Sequence, residues 1–149
     1  MVTTLTPSTQ DYLEVILQLS NGDRAVRITD IAKSLNITKA SATQAIDILI
    51  DEGLVLKEKY GPVTFTGKGE LEATKVKKTH KIIREFLTKV LQVDLEIADK
   101  DACLIEHVIS PQSIAGMVAF LEKGNYEISD DLNLQKALVL LYSDQEDKQ

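Results

Sequence analysis

Cys103, Glu106 and His107 fall within one short stretch, Cys103-Leu104-Ile105-Glu106-His107. On a helix, positions i, i+3 and i+4 share a face. A thiol, a carboxylate and an imidazole then project together, which is metal-ligand chemistry. A second acidic pair, Asp11 and Glu14, has i, i+3 spacing, and the chain's other histidine, His80, lies midway along a long helical pattern. Each piece has an ordinary reading as well. A single buried cysteine is a small hydrophobe, a histidine beside an apolar run is a satisfied core residue, and acids near a helix start are favoured by its dipole. Together, the few soft and borderline donors of the chain fit one scheme, a site for a divalent cation. No G-x-S-x-G, P-loop, glycine-rich dinucleotide turn or second cysteine accompanies them. A metal-dependent hydrolase would need an open coordination position and a substrate cleft. The sequence has neither a catalytic base outside the cluster nor a lid, and the chain is read as not an enzyme.

The elements that must position these groups fall into three segments. Pro7 and Ser8 start a helix with apolar residues at Leu13, Ile16, Leu17 and Leu19, and Asn21-Gly22-Asp23 ends it. Ile28, Ile31, Ala32 and Leu35 mark a second, short helix, with Thr29 expected as its N-cap. After Asn36-Ile37-Thr38 a third helix runs from about Lys39 to Glu52, closed by Gly53 as its C′ residue. Two extended runs, 54–57 and 63–66, flank a hairpin tip at Glu58-Lys59-Tyr60-Gly61-Pro62. A helical pattern then covers about 70–90, long enough at about 1.5 Å per residue to connect two domains. Further helices are expected over 98–109, 111–122 and 132–142, with Ser110-Pro111 as a start and Gly124-Asn125 as a stop. The fold class is mainly α: a winged helix-turn-helix over 1–70, then an all-helical dimerisation and metal-binding domain over 71–149.

Two short helices with a tight turn and a following hairpin are a DNA-binding pattern. The third helix opens with Thr38, Lys39, Ser41, Thr43 and Gln44 and turns apolar from Ile46 to Ile50. Recognition helices present their N-terminal residues to base edges and pack their far face. Lys57, Lys59 and Tyr60 are expected near phosphates, and Arg27 is expected to contact DNA as well. In the last segment Leu104, Ile105, Val108, Ile114, Met117, Val118, Phe120 and Leu121 are more apolar surface than short helices hide alone, and a homodimer interface uses such an excess.

The overall charge opposes this reading. Among 149 residues the formal net charge is -6, whereas DNA affinity comes from cations that neutralise phosphates. The charge is unevenly spread. Residues 24–68 carry seven cations, Arg24 included, against five acids, which leaves a net -8 elsewhere. One cysteine forms no internal disulfide, and no apolar run approaches the roughly 18 residues of a membrane span. The N-terminal stretch lacks a basic region and cleavage pattern, so a cytoplasmic location and no membrane partner are expected. The tail 143–149 is polar and expected to fray.

With these residues in view, the sequence resembles the metal-dependent repressors of the diphtheria toxin repressor and manganese transport regulator family. The resemblance is carried by T-P-S-T-Q-D-Y-L-E at 6–14, I-T-D-I-A-K-S-L-N-I at 28–37, the recognition helix and wing, T-G-K-G at 66–69, H-K-I-I-R-E-F-L at 80–87 and C-L-I-E-H-V-I-S at 103–110. It covers roughly 6–124 and implies the short form without an SH3-like third domain. It also implies a homodimer that binds a palindromic double-stranded DNA operator once a divalent metal sits between the two domains, with no organic cofactor. By resemblance the metal ligands are Asp11 and Glu14, His80, and Cys103, Glu106 and His107, enough for one octahedral ion or two with bridging carboxylates. The chain is a hybrid within the family. Asp11 matches the manganese-type members and is a hard donor, whereas Cys103 matches the iron-type members and is softer. Fe²⁺ or Mn²⁺ is the expected activator, with Co²⁺, Ni²⁺ or Zn²⁺ able to substitute in vitro. Arg84 stands where many members carry a second-site acid, and Asp99 where iron-type members place a histidine. The competing function is a winged-helix regulator that senses an organic ligand, with metal binding incidental.

Overall fold

In the computed structural model, residues 6–20 and 25–142 are described. The expected breaker 21–23, Arg24 and the tail 143–149 lie outside them. The chain divides within one long helix into an N-terminal unit through Thr74 and a C-terminal unit from Lys75.

The N-terminal unit opens with α1 (Pro7–Ser20). Thr6 caps it, its hydroxyl accepting from Thr9 N–H at 3.2 Å, and Pro7 takes the first helical position, where a missing N–H costs nothing. Helix α2 (Ile28–Leu35) buries Ile28, Ile31 and Ala32. Thr29 is not its cap: the helix begins two residues earlier than that cap implies, and Arg27 holds the cap position without a side-chain bond. Burial of Ile28 draws the chain into helical geometry before a capping hydroxyl is reached. Asn36 ends α2 in the left-handed region, with φ 55°, and Ile37 N–H returns to Ala32 C=O at 3.0 Å. Asn tolerates that conformation because its short polar side chain bonds locally. Thr38 then caps α3 (Lys39–Asp51), accepting from Ser41 N–H at 3.1 Å. The turn between α2 and α3 is therefore Asn36-Ile37-Thr38.

Gly53 leaves α3 with φ 75° and hands the chain to β1 (Val55–Lys57), which pairs antiparallel with β2 (Val63–Phe65). Val55 faces Phe65, Leu56 faces Thr64 and Lys57 faces Val63. Val26 adds an unexpected bridge, exchanging backbone bonds with Val63 at 2.9 and 2.7 Å. Leu13, Ile16, Ile31, Ala42, Ile46, Leu49, Leu54, Val55 and Val63 form the core of this unit.

Helix α4 (Gly67–Lys89) starts three residues earlier than its apolar pattern indicates. Thr66 is the reason. Its hydroxyl donates to Gly53 C=O at 2.7 Å and accepts from Gly69 N–H at 3.0 Å, so it ties the base of the hairpin to the first turn of α4. Gly69 is required there, since a Cβ would lie 1.7 Å from Leu54 C=O.

The C-terminal unit continues α4 and adds α5 (Leu95–Ile105), α6 (Pro111–Lys123) and α7 (Leu134–Tyr142). Ile82, Ile83, Ala102, Ile114, Val118, Leu121, Leu132, Leu134 and Ala137 are its core. Ser110 caps α6 by accepting from Ser113 N–H at 3.1 Å, with Pro111 first in the helix. The hydroxyl of Tyr142 donates to Pro111 C=O at 2.9 Å, which fastens the end of α7 to the start of α6. Of the apolar residues expected in excess, Ile114, Val118 and Leu121 are absorbed by this core, whereas Leu104, Val108 and Phe120 remain exposed.

Candidate nucleic-acid interface and metal centre

In the N-terminal unit, α3 buries Ala42, Ala45, Ile46 and Leu49, and this turns Lys39, Ser41 and Gln44 outward. Three of the expected contact residues spend hydrogen-bonding capacity on the helix itself. Thr38 hydroxyl donates to Ser41 Oγ at 2.9 Å, and Thr43 hydroxyl donates to Lys39 C=O at 2.9 Å. Lys39 and Gln44 are the longest side chains on this opening turn. The apolar reading of the later half is correct for Ile46 and Leu49 but not for Ile48, which is 54% exposed.

Between the start of α3 and the hairpin lies a cleft of about 730 Å³ whose walls include Arg27, Lys39, Thr43, Lys57 and Tyr60. Cations from the cap of α2, the start of α3 and β1 line it, an arrangement of charge that suits a phosphate backbone. Tyr60 stands at the hairpin tip, 93% exposed, with φ 62°. A bulky residue in the left-handed region is strained, and such strain collects at functional sites. Lys59 Nζ lies 5.5 Å from its ring centroid. The acids of α3, Asp47 and Asp51, are exposed on its later turns, away from the cleft-lining residues at its start.

In the C-terminal unit, His80 of α4 meets residues of α5 and the turn beyond it. Its Nδ1 is 2.8 Å from Glu106 Oε2 and 3.7 Å from Cys103 Sγ, while its Nε2 is 2.8 Å from Asp99 Oδ1. Arg84, one turn further along α4, places Nη1 3.5 Å from that same Asp99 oxygen. The Glu106 side chain is fully buried, and His80 and His107 are nearly so. Cys103 is exposed. The expectation of one continuous helix through 98–109 needs correction. Helix α5 ends at Ile105, Glu106 is its C-cap and His107 lies in the following turn. Ser110 must be extended to precede Pro111, and the chain leaves the helix in time to allow it.

One feature of the donor set calls for a cation. Glu106 Oε1 is buried with no hydrogen-bond partner and sits 3.5 Å from His107 Nε2. A buried carboxylate oxygen without a partner is costly unless a cation completes it. Imidazole nitrogens and carboxylate oxygens gathered on one buried group suit a divalent ion, and Cys103 Sγ reaches only the His80 side, 3.7 Å from Nδ1. The Glu106 hydrogen bond raises the His80 imidazole above its ordinary pKa against the opposing effect of burial, with Asp99 assisting. The same ring, with Arg84, holds Asp99 below the usual carboxylate range. Asp11, exposed, and Glu14, half-buried, lie on α1 of the N-terminal unit. The sequence reading did not pair Asp99 with His80. The available signal was spacing, because Asp99 is one helical turn before Cys103.

Family models for the iron dependent repressor match both parts: its N-terminal DNA binding domain over 4–63, and its metal binding and dimerisation domain over 66–127. An uncharacterised HTH-type transcriptional regulator from Methanocaldococcus jannaschii is 35% identical over 120 residues, which cover 80% of this chain and 96% of that protein. The chain belongs to the iron-dependent repressor family, the family of the diphtheria toxin repressor and the manganese regulators. Another member, the HTH-type transcriptional regulator MntR of Lysinibacillus sphaericus, is 33% identical over 134 residues, 88% of this chain and 95% of that one. Among solved structures, the manganese regulator SloR superposes with a TM-score of 0.67 at 28% identity, over 79% of this chain and 55% of that one, so the chain spans about half of SloR. A hypothetical protein from Sulfolobus solfataricus superposes at 0.65 with 25% identity, over 84% of this chain and 99% of its own length. As an iron-dependent repressor family member the chain is a metal-dependent transcriptional regulator and not an enzyme. No helix among the described residues is long and apolar enough to cross a membrane.

Proposed function

We propose that this repressor binds a two-fold symmetric operator as a cytoplasmic homodimer when Mn²⁺ or Fe²⁺ is held by Asp11, Glu14, His80, Cys103, Glu106 and His107. The functional division is 1–70 for DNA and 71–149 for dimerisation and metal. Relatives named as MntR and as manganese regulators support the class of ion. The observation that carries the reading is the buried Glu106 carboxylate between two histidines: Oε2 meets His80, and Oε1, which has no hydrogen bond, lies 3.5 Å from His107 Nε2. When bound, a divalent ion supplies the positive charge that lets several carboxylates converge without mutual repulsion.

The chain's own residues do the rest. Asp11 and Glu14 belong to the DNA-binding unit, and the remaining donors to the other. Engaging both sets fixes the recognition helices of a dimer at one separation, and half-sites about 34 Å apart or a multiple reward that separation. Arg27, Lys39 and Lys57 take phosphates, Lys59 and Tyr60 follow the backbone at the wing, and Gln44, with Thr38, Ser41 and Thr43, faces base edges. The test is selection of sites from a random DNA pool by the full-length protein with Mn²⁺, with Fe²⁺ under anaerobic conditions, or with chelator. Palindromic sites enriched only with metal are expected. Enrichment of the same sites in chelator would overturn the reading.

A further inference from the structure

We infer that Asp99 is a positioning residue of the metal centre: it accepts the Nε2–H of His80 and leaves Nδ1 as the ring's ligand atom. This rests on the reading that His80 is a ligand. The geometry separates the two faces of the ring. On the Nδ1 side stand Glu106 Oε2 at 2.8 Å and Cys103 Sγ at 3.7 Å, which are two further donors of the proposed set. On the Nε2 side stands Asp99 Oδ1 at 2.8 Å. The two carboxylates differ in surroundings. Glu106 is fully buried and has an oxygen to spare, whereas the Asp99 side chain is 50% exposed.

Asp99 is poorly placed to be a ligand itself. Its Oδ1 is shared between the imidazole and the Arg84 guanidinium, 3.5 Å away, and a cation drawn to that oxygen would meet a like charge. The same guanidinium helps hold the carboxylate against the ring. A carboxylate on the far nitrogen fixes the tautomer and orientation of a ligating histidine and makes it more basic, and its loss weakens metal affinity by about 10–100-fold. Arg84 and Asp99 thus form one unit that serves His80.

Two measurements on the full chain test this. Long-range ¹H–¹⁵N spectra of the Zn²⁺-loaded protein report which His80 nitrogen bears the metal. Mn²⁺ titrations followed by electron paramagnetic resonance give affinity and stoichiometry for wild type, Asp99→Ala, Asp99→Asn and His80→Ala. The expected result is metal on Nδ1, affinity weakened about 10–100-fold by Asp99→Ala with stoichiometry unchanged, and partial recovery in Asp99→Asn, whose amide oxygen still accepts. Metal on Nε2 would overturn the inference. So would a lost ion per subunit in Asp99→Ala, or wild-type affinity in that variant while His80→Ala binds weakly. Wild-type affinity in His80→Ala would instead remove the ligand reading and this inference with it.

Discussion

Removing one cleft cation has a consequence that can be worked from the structure. Arg27, Lys39 and Lys57 line the cleft between α3 and the hairpin. If each neutralises one phosphate, these three alone give a dimer about six such contacts and contribute about -5 to the slope of log K against log salt, at roughly -0.9 per phosphate. Raising salt fourfold then weakens wild-type binding by about 10³ through these contacts. Lys57→Ala removes two contacts per dimer, which brings this contribution to about -3.6 and its fourfold-salt loss to about 10². The loss should be the same on matched and mismatched sites, because phosphate contacts carry no base information. Gln44→Ala should behave in the opposite way. A lost bidentate base contact costs about 1–3 kcal/mol at one position and leaves the slope alone. Fluorescence anisotropy with labelled operator across a salt series, with Mn²⁺ present, measures both. An unchanged slope in Lys57→Ala, or a loss confined to particular base pairs, would refute the placement of the phosphate backbone in this cleft.

Cys103→Glu replaces the one soft donor by a hard one and should shift relative activation towards Mn²⁺ and away from Fe²⁺ or Co²⁺; an unchanged ranking of metals in DNA-binding titrations would mean that the Cys103 sulfur does not contact the ion. Gly69→Ala should lower the melting temperature, because overpacking against the Leu54 carbonyl, at about 1–3 kcal/mol, outweighs the roughly 1 kcal/mol gain in helix propensity. In the metal-free protein the raised His80 pKa stabilises the fold fully below the unfolded value of about 6.5, and that stability is lost as pH rises through the folded value. Urea unfolding of wild type and His80→Gln should therefore show a stability difference that shrinks with rising pH; a difference that grows would reverse the assignment.

Much of the local order of both units was legible because several signals agreed. Thr38 and Ser110 cap where capping chemistry places them, and Gly53 adopts the positive φ that ends α3. The misjudged boundaries have tertiary causes. The start of α4 is set by Thr66, which bonds across to Gly53, so periodicity within the helix carries no trace of it. Pro111 excludes helix only from Ser110 onward, so nothing in the local sequence marks the end of α5 at Ile105. Val26 pairs with a residue far along the chain, and one bridging residue has no pattern of its own. At the candidate metal centre, donor types and spacing marked Cys103, Glu106 and His107. The division of labour between Glu106 and Asp99 is a matter of burial and of which ring nitrogen each faces, and only packing of α4 against α5 reveals it.

The central claim is that the buried carboxylate of Glu106 and its neighbours make DNA binding conditional on a divalent ion. Operator affinity of wild type, Asp11→Ala, Glu106→Gln and His107→Ala, each measured with Mn²⁺ and with chelator and checked for folding by circular dichroism, addresses it directly. Wild type should bind tightly with Mn²⁺ and weakly in chelator, and the three variants should remain folded yet bind weakly in both. Tight binding by wild type in chelator, or Mn²⁺ activation undiminished in Glu106→Gln, would contradict the account.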